Sequence, residues 1–418
     1  MTAATAVRHP IRPTSSTRRT QSPLAPLRTR SYRIYLTGQV VASLGTWMQS
    51  VAQDWLVLQL THSSTAVGIV LALQFLPLVI FGPVGGLLAD RYPKRTILFA
   101  TQSVNAVLAS TLAALTLTGA VRVEHVYALA VLGGVVFAVD GPTRQSFVTE
   151  VVPPAVLRGA VSLNAAAFQA TRLVGPAVAG LLIGGVGIGW VFAVNALASL
   201  GPTVGLLRLR TAELQPAPPP AREPHALCAA ARYVAGQPHV RRTILLAGVV
   251  GTFGLNYPIV LSALATRTFA GNAGTYALFN VALAIGSMTG ALAVGSLRTT
   301  RLRMIVIAGT VFGLAQLVAA TAPTVPAAFV LLVVLGVASM GFQSLANSSV
   351  QLWVDPAFRG RVMALYLLVF IGGTTIGAPL VGALTSAFGP RVGMAFCGFV
   401  PAVAALAIGL RHLATTRT

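Results

Sequence analysis

The sequence predicts an all-α membrane protein whose twelve transmembrane helices form two six-helix halves. Its composition is the first reason, because 55% of the 418 residues are hydrophobic and only 9% are charged, whereas soluble domains have roughly 45–50% apolar residues. Twelve apolar runs of membrane-spanning length are the second reason. A proline-rich break between the sixth and seventh runs is the third.

Each apolar run is long enough to cross the hydrocarbon core, which takes about 20 helical residues because the backbone satisfies its own polar groups in lipid. None shows the alternating polarity of an outer-membrane barrel strand. The first six runs are 34–60, 66–89, 97–117, 126–147, 157–183 and 189–207. The second six are 244–265, 276–297, 304–321, 327–350, 362–388 and 393–410.

The basic residues are distributed unevenly between the two ends of these spans. With the N-terminus in the cytoplasm, 25 of the 29 Lys and Arg residues fall on the cytoplasmic side. Arg122, Arg267 and Arg391 fall outside, and Arg172 lies within the fifth span. This bias predicts that both termini are cytoplasmic and that the chain is a multi-pass protein of the inner (plasma) membrane.

The net charge of +21 has the same explanation. A basic protein is a candidate nucleic-acid binder, but here the charges stand in small groups at the ends of apolar spans. We therefore expect them to set the topology and to contact anionic lipid headgroups. Membrane lipid is the expected partner, and nucleic acid is not.

The apolar runs also divide the chain into regions. Residues 1–30, rich in Ser, Thr, Pro and Arg, predict a disordered basic cytoplasmic tail. The N-terminal half occupies 31–210 and the C-terminal half 243–411, followed by a short cytoplasmic tail at 412–418. Between the halves, 211–242 predict a cytoplasmic linker, because the prolines of "LQPAPPPAREPHA" (214–226) cannot continue a helix.

The two halves resemble each other in one segment. Residues 152–182 align with 354–384 at a single offset, which places Pro154, Gly175 and Gly180 on Pro356, Gly377 and Gly382. Both segments run from a cytoplasmic loop into the fifth span of their half. A parallel internal repeat of six spans is typical of transporters that bind substrate between the repeats.

Four stretches carry a resemblance to a known family. They are "GTWMQSVAQDWLVLQLT" (45–61), "GGLLADRYPKR" (85–95), "DGPTRQSFVTEVVP" (140–153) and "RLVGPAVAG" (172–180). The sequence resembles the major facilitator superfamily over 32–410, and within it the exporter branch that includes enterobactin exporters and antibiotic-cluster efflux proteins. Pro93 stands where the superfamily signature between helices 2 and 3 usually has glycine. The resemblance implies a transporter that works as a monomer.

A cytoplasmic gate is the first candidate site. Gly86 allows close helix approach, and Asp90, one turn on, can accept hydrogen bonds from the N-terminus of another helix. In the family that partner is helix 11, which starts near 360–362 here. The contact would hold the halves together on the cytoplasmic side while the transporter is open to the outside. Lys94 is expected to be a topology charge.

Asp140 and Arg144 lie four residues apart, and thus on one face of the fourth span. Two alternatives are open for them. The pair is either a structural salt bridge, or Asp140 also reaches Arg91 or Arg95 and forms the second half of the gate. A role for Asp140 as proton carrier is a third, weaker hypothesis.

Two further charges lie deep in spans, where ionisable groups are functional candidates. Asp54, about 30 Å along the first span, is the candidate for proton coupling, and Arg172 is a cavity candidate. The alternative is that Asp54 is wet at the outer surface and Arg172 binds helix carbonyls. Polar residues on the same two spans complete the cavity set: Gln49, Gln53, Asn164 and Gln169.

Gly175, Pro176 and Gly180 resemble a shortened form of the family's helix-5 antiporter motif. Glycine permits tight packing, and proline bends a helix. In the family this motif accompanies exchange of substrate for protons. The alternative is an ordinary packing kink.

Enzymatic functions are not expected. Lys94, the only lysine, follows Pro93, so no phosphate-binding G-x-x-x-x-G-K-[ST] loop exists, and the histidines lack metal-ligand spacing. We expect no cofactor and no metal. The first hypothesis is a proton-driven exporter of an amphipathic small molecule such as an antibiotic, siderophore or drug. An importer or uniporter on the same fold is the alternative, and a non-transporting membrane sensor or assembly protein is a third.

Overall fold

The structure, a computed structural model, describes residues 24–210, 214–215, 226–295, 301–355 and 358–417. These ranges are helical and contain no strand. The first six helices are α1 (Arg30–Thr61), α2 (Ser64–Arg91), α3 (Lys94–Leu117), α4 (Val123–Val151), α5 (Leu157–Gly185) and α6 (Ile188–Arg208). The others are α7 (Ala226–Ala235), α8 (Pro238–Val249), α9 (Tyr257–Ala263), α10 (Ala273–Gly295), α11 (Leu302–Ala320), α12 (Val325–Trp353), α13 (Arg359–Gly372), α14 (Thr374–Phe388) and α15 (Pro390–Arg417).

Short connections with identifiable end signals separate these helices. The Ser63 and Thr324 hydroxyls accept hydrogen bonds from the first turns of α2 and α12, which satisfies backbone donors that lack a partner within the helix. Gly187 and Gly389 adopt positive φ of 99° and 91° after α5 and α14, where glycine is favoured. These two positions are related by the same offset as the internal repeat.

Eleven segments of the described chain are long and apolar enough to cross a membrane. They correspond to α2 to α6, to Pro238–Thr268, to α10, α11 and α12, to Arg359–Phe388 and to α15. Helix α1 has 32 residues, about 48 Å at 1.5 Å per residue. Its polar side chains lower its mean hydropathy, and it therefore falls outside this group of eleven.

Three features of the helices differ from the sequence-based expectation. The seventh span is broken, because α8 continues as a π-helical turn at Val250–Gly254 and α9 begins only at Tyr257. The second difference is that the predicted linker contains a helix, α7. At the C-terminal end, α15 continues to Arg417 through the predicted tail.

Part of the predicted N-terminal tail is folded. Residues Ala25–Arg28 form a 3-10 turn in which Pro26 is buried, and Leu27 packs against a hydrophobic cluster containing Tyr32, Leu98 and Phe147. Residues 1–23, and residues 211–213 and 216–225 of the predicted linker, lie outside the described residues.

The helices pack as two groups, α1 to α6 (the first half) and α7 to α15 (the second half). In the first half, α1 packs on α5 and α6, and α4 packs on α2 and α3. In the second half, α10 packs on α12, and α11 packs on α12 and α15. We call the end of the bundle where α1 and α3 begin the proximal end, and the opposite end the distal end.

Candidate functional site

A hydrogen bond joins the two halves at the distal end. The Tyr276 hydroxyl, in the first turn of α10, donates to Asp54 Oδ2 near the end of α1 over 2.9 Å. The Tyr276 ring stacks on Trp55, with a centroid distance of 6.3 Å and an interplanar angle of 18°. Asp54 is only 4% exposed. It is therefore buried between the halves, and the alternative interpretation, a carboxylate that is wet at the outer surface, is wrong.

Glycines bring the helix backbones of the two halves close together at the same end. A Cβ on Gly180 of α5 would lie 2.5 Å from the Ala277 Cβ of α10. A Cβ on Gly382 of α14 would lie 2.8 Å from the Ser64 carbonyl oxygen of α2. The two repeat-related glycines thus make equivalent contacts with the second long helix of the opposite half.

Polar contacts reinforce the distal junction. The Thr65 backbone N–H donates to the Ser386 hydroxyl over 3.1 Å. The Arg267 guanidinium donates to the His62 carbonyl oxygen over 2.7 Å. These bonds link the α1–α2 connection and the start of α2 to the distal ends of the seventh and eleventh spans, so the distal end is closed.

The halves separate toward the proximal end. Contact between α2 and α13 continues as far as Val79. A Cβ added to Gly372 would lie 3.1 Å from the Val79 Cγ2 atom. Nearer the proximal end, Cβ positions on Gly86 and Gly360 meet no described atom within 4 Å. These two glycines, on the surfaces predicted to form the gate, therefore make no contact between the halves in this conformation.

The predicted gate contact itself is only partly described. The Asp90 carboxylate lies outside the described part of the structure. Gly85, one residue before Gly86, is the position where α2 closely approaches the Ala138 carbonyl of α4. Close packing at this level therefore occurs within the first half and uses the neighbouring glycine.

The basic residues after α2 have separate environments. Arg91 is exposed. The Lys94 ammonium is 2.6 Å from Glu150 Oε1 at the end of α4, so Lys94 is more than a topology charge. Arg95 Nε donates to the Leu206 carbonyl oxygen over 2.9 Å, which directs it to α6 and away from Asp140.

Asp140 is the centre of a polar network inside the first half. Its carboxylate forms an ion pair with Arg144 and accepts from Thr101 Oγ1 over 2.8 Å and from Gln102 Nε2 over 2.9 Å. Arg144 also donates to Gln39 Oε1 over 2.7 Å. Of the two alternatives for Asp140, the structure has the ion pair with Arg144.

The network links α1, α3 and α4 through residues that sequence reasoning did not identify. Gln39, Thr101 and Gln102 are polar side chains within otherwise apolar spans. Their polarity is the feature of the sequence that could have identified them. Because the burial of polar groups in lipid is costly without partners, such residues are expected to hydrogen-bond one another.

Arg172 has a different environment. Its guanidinium lies over the Trp47 ring at 5.4 Å from the centroid, and it makes no hydrogen bond or ion pair with the described residues. The Phe168 ring, one turn earlier, meets Trp47 edge to face at 5.6 Å and is 50% exposed. Tyr257, from the second half, lies within electrostatic range of Arg172.

The remaining polar candidates face the interior of the first half to different degrees. Gln49 accepts a hydrogen bond from Asn195 of α6, and Asn164 accepts from the Tyr32 hydroxyl over 3.2 Å. Gln53 is buried and Gln169 is half-buried. Gln49 and Asn164 thus tie α1 to its neighbours.

The glycine-proline motif of α5 lies against α1. A Cβ on Gly175 would be 2.5 Å from Trp47 Cβ, and Pro176 follows inside the helix. Gly175 therefore fixes α5 on its own half, whereas Gly180, five residues on, contacts the other half. Among the described residues, no group of three His, Cys, Asp or Glu side chains is placed to hold a metal ion.

Among the described residues, eleven helices long and apolar enough to cross a membrane, with related segments in two halves, are the architecture of a multi-pass membrane transporter. The chain belongs to the transmembrane secretion effector family of the major facilitator superfamily, which its sequence matches over residues 21–417. It is a transporter and not an enzyme.

Individual proteins extend this comparison. The enterobactin exporter EntS of Salmonella typhimurium is 26% identical over 374 residues, which cover 88% of this chain and 89% of that protein. The multidrug efflux pump Tap of Mycobacterium bovis is 27% identical over 376 residues, 85% and 87% of the two chains. The inward-facing, unoccupied crystal structure of a bacterial homologue of the lysosomal transporter Spinster superposes with a TM-score of 0.73 at 16% identity, covering 92% of this chain and 97% of that one. At this identity the superposition shows the fold alone.

Proposed function

We propose that the protein exports an amphipathic small organic molecule by alternating access, in exchange for protons. The observation that carries the proposal is the asymmetric junction between the halves, which Asp54 and Tyr276 close at the distal end while Gly86 and Gly360 stand open at the proximal end. A substrate site between two such halves is reached from one side at a time. The exporter relatives EntS and Tap support the outward direction.

The topology of this proposal places the proximal end in the cytoplasm. Helix α1 also spans the membrane and brings the number of spans to twelve. Its length and its packing along α5 and α6 support this assignment. The halves then correspond to 31–210 and 243–411, and both termini are cytoplasmic, as the distribution of basic residues indicates. The protein works as a monomer in the inner membrane and contacts anionic lipid through its cytoplasmic arginines.

Asp54 is the proposed proton-binding residue. A charged carboxylate is costly to bury, whereas a protonated one is much less so. Because Asp54 is buried only when the distal end is closed, a proton taken up from outside favours closure and return to the cytoplasm-facing state. The Tyr276 hydroxyl can donate to either protonation state of Asp54.

A transport screen in proteoliposomes tests the proposal. Purified chain is supplied with amphipathic dyes, antibiotics and siderophores under an imposed pH gradient, and substrate and proton fluxes are measured together. We expect substrate movement against its gradient that stops when the pH gradient collapses. Transport that is indifferent to the pH gradient would refute proton coupling, and accumulation inside intact cells would refute export.

Two carboxylate variants separate the role of Asp54 from general charge loss. Asp54→Asn should abolish proton flux coupled to substrate. Glu124→Gln removes an exposed carboxylate at the same end of the bundle and should leave coupling unchanged. Normal stoichiometry in Asp54→Asn would show that another residue carries the proton.

A further inference from the structure

Arg172 is a half-buried charge that makes no ion pair or hydrogen bond with a described residue. The other deep guanidinium, Arg144, is neutralised by Asp140, whereas the Arg172 guanidinium lies over the Trp47 ring and has no acidic partner among the described residues. A cation in a transmembrane helix usually has a counter-charge or faces a water-filled cavity. The contact with Trp47 is a weaker interaction than an ion pair.

The second half presents unsatisfied polar atoms in the same region. The Tyr257 hydroxyl is buried and forms no well-aligned hydrogen bond with the described residues, and the Ser339 hydroxyl lies near it. Asn256 Oδ1 is likewise buried and unpaired. Buried polar groups are normally hydrogen-bonded, so these atoms indicate a missing partner.

The backbone is also irregular at this position. The seventh span is interrupted at Leu255 and Asn256, immediately before Tyr257. Irregular backbone at membrane depth is tolerated where it is buried in protein or lines a cavity. Broken helices near the midplane supply polar groups to substrate sites in transporters.

The depth of Arg172 places it at the end of the proximal opening. It lies eight residues before Gly180, about 12 Å along α5, and Gly180 marks the closed junction with α10. Phe168, one turn on the proximal side, exposes half of its ring. A molecule that enters from the proximal end therefore meets the Phe168 ring and then the Arg172 guanidinium.

We infer that Arg172, Phe168 and Tyr257 form the binding site for an amphipathic organic anion with a planar apolar part, such as an aromatic carboxylate. The guanidinium binds the anionic group with charge-assisted hydrogen bonds. The Tyr257 hydroxyl donates to the same group, and the exposed Phe168 ring packs against the apolar part. This inference rests on the proposed transport function and specifies its substrate class.

A matched series of probes tests the charge preference. Binding of 1-naphthoate, 1-naphthamide and 1-naphthylmethylamine to the purified full chain in zwitterionic nanodiscs is measured by equilibrium dialysis. We expect the anion to bind about tenfold or more tightly than the amide, and the amine to bind most weakly. Equal affinities, or no binding of any probe at millimolar concentration, would overturn the inference.

Three variants test the residue assignment. Arg172→Gln should remove the preference for the anion, and Arg172→Lys should keep part of it, which excludes a folding defect as the cause. Arg303→Gln, an exposed arginine at the proximal start of α11, should behave as the unmodified protein. An unchanged preference in Arg172→Gln would show that Arg172 does not bind the anion.

Transport measurements keep this inference separate from the proposed function. If the chain binds 1-naphthoate selectively but exports nothing, the proposed export function is refuted and the proposed binding site is retained. If the chain exports neutral and cationic compounds without preferring anions, the proposed anion site is refuted and the proposed export function is retained.

Discussion

The Tyr276 hydroxyl donates to Asp54 Oδ2 over 2.9 Å and thereby joins two residues that lie 222 positions apart in the chain. The bond is buried, and the stacked Trp55 and Tyr276 rings shield it. Because it exists only when the distal ends of α1 and α10 meet, it stabilises one conformation of the transporter selectively. A contact of this kind biases the equilibrium between the two access states.

Tyr276→Phe should weaken the distal closure while keeping the ring stack. A hydrogen bond to the protonated carboxyl contributes about 0.5–1.5 kcal/mol, so we expect the conformational equilibrium to shift toward the distally open state about two- to tenfold. Spin labels at Leu60 and Phe388, in a Cys228→Ser, Cys397→Ala background, report the distal distance. Tyr127→Phe is the control, because Tyr127 lies in α4 of the first half. An unshifted distance distribution in Tyr276→Phe would contradict the prediction.

Gly180→Ala should open the distal end by steric pressure. The added Cβ would lie 2.5 Å from Ala277 Cβ, well inside normal contact, so α5 and α10 must move apart. Gly184→Ala, one turn further along α5, is the matched control because its Cβ meets no described atom within 4 Å. The same spin-label pair measures the effect, and equal distances in the two alanine variants would refute a role for Gly180 in closure.

The sequence predicted the spans and the repeat because these depend on contiguous residues. Apolar runs located the eleven candidate membrane helices of the described residues, and the all-helical transporter fold is confirmed. The alignment of Gly180 with Gly382 anticipated two positions whose inter-half contacts are equivalent. The twelfth span and the cytoplasmic location of the termini stay predictions.

The sequence did not predict which side chains meet across the halves. Tyr276 begins an apolar run, and nothing local relates it to Asp54, whose burial follows from the approach of α10. The interruption before Tyr257 was missed because residues 244–265 were treated as one apolar run, although Gly254, Asn256 and Pro258 within it are local signals of a break. Gly86 and Gly85 are adjacent glycines, and only the packing of α2 on α4 distinguishes them.

Asp140→Asn should destabilise the first half strongly. Asparagine still accepts from Thr101 and Gln102, but it leaves the Arg144 guanidinium without its counter-charge, which costs about 3 kcal/mol. Thr101→Val removes one neutral donor and should cost about 1 kcal/mol. Thermal unfolding in detergent compares the two variants, and a smaller loss in Asp140→Asn would show that the ion pair is not the main contribution of the network.

Gly86→Leu should block closure of the proximal end without disturbing the present conformation. A side chain at Gly86 meets open space here, yet the proposed gate requires α2 to approach the start of α13. We therefore expect normal folding, a proximal distance between labels at Tyr92 and Leu352 that no longer shortens with substrate, and at least about tenfold slower transport. Gly133→Leu is the control, because it places the same side chain in open space on α4, and this variant should transport normally. Full activity in Gly86→Leu would show that α2 and α13 do not close over this glycine.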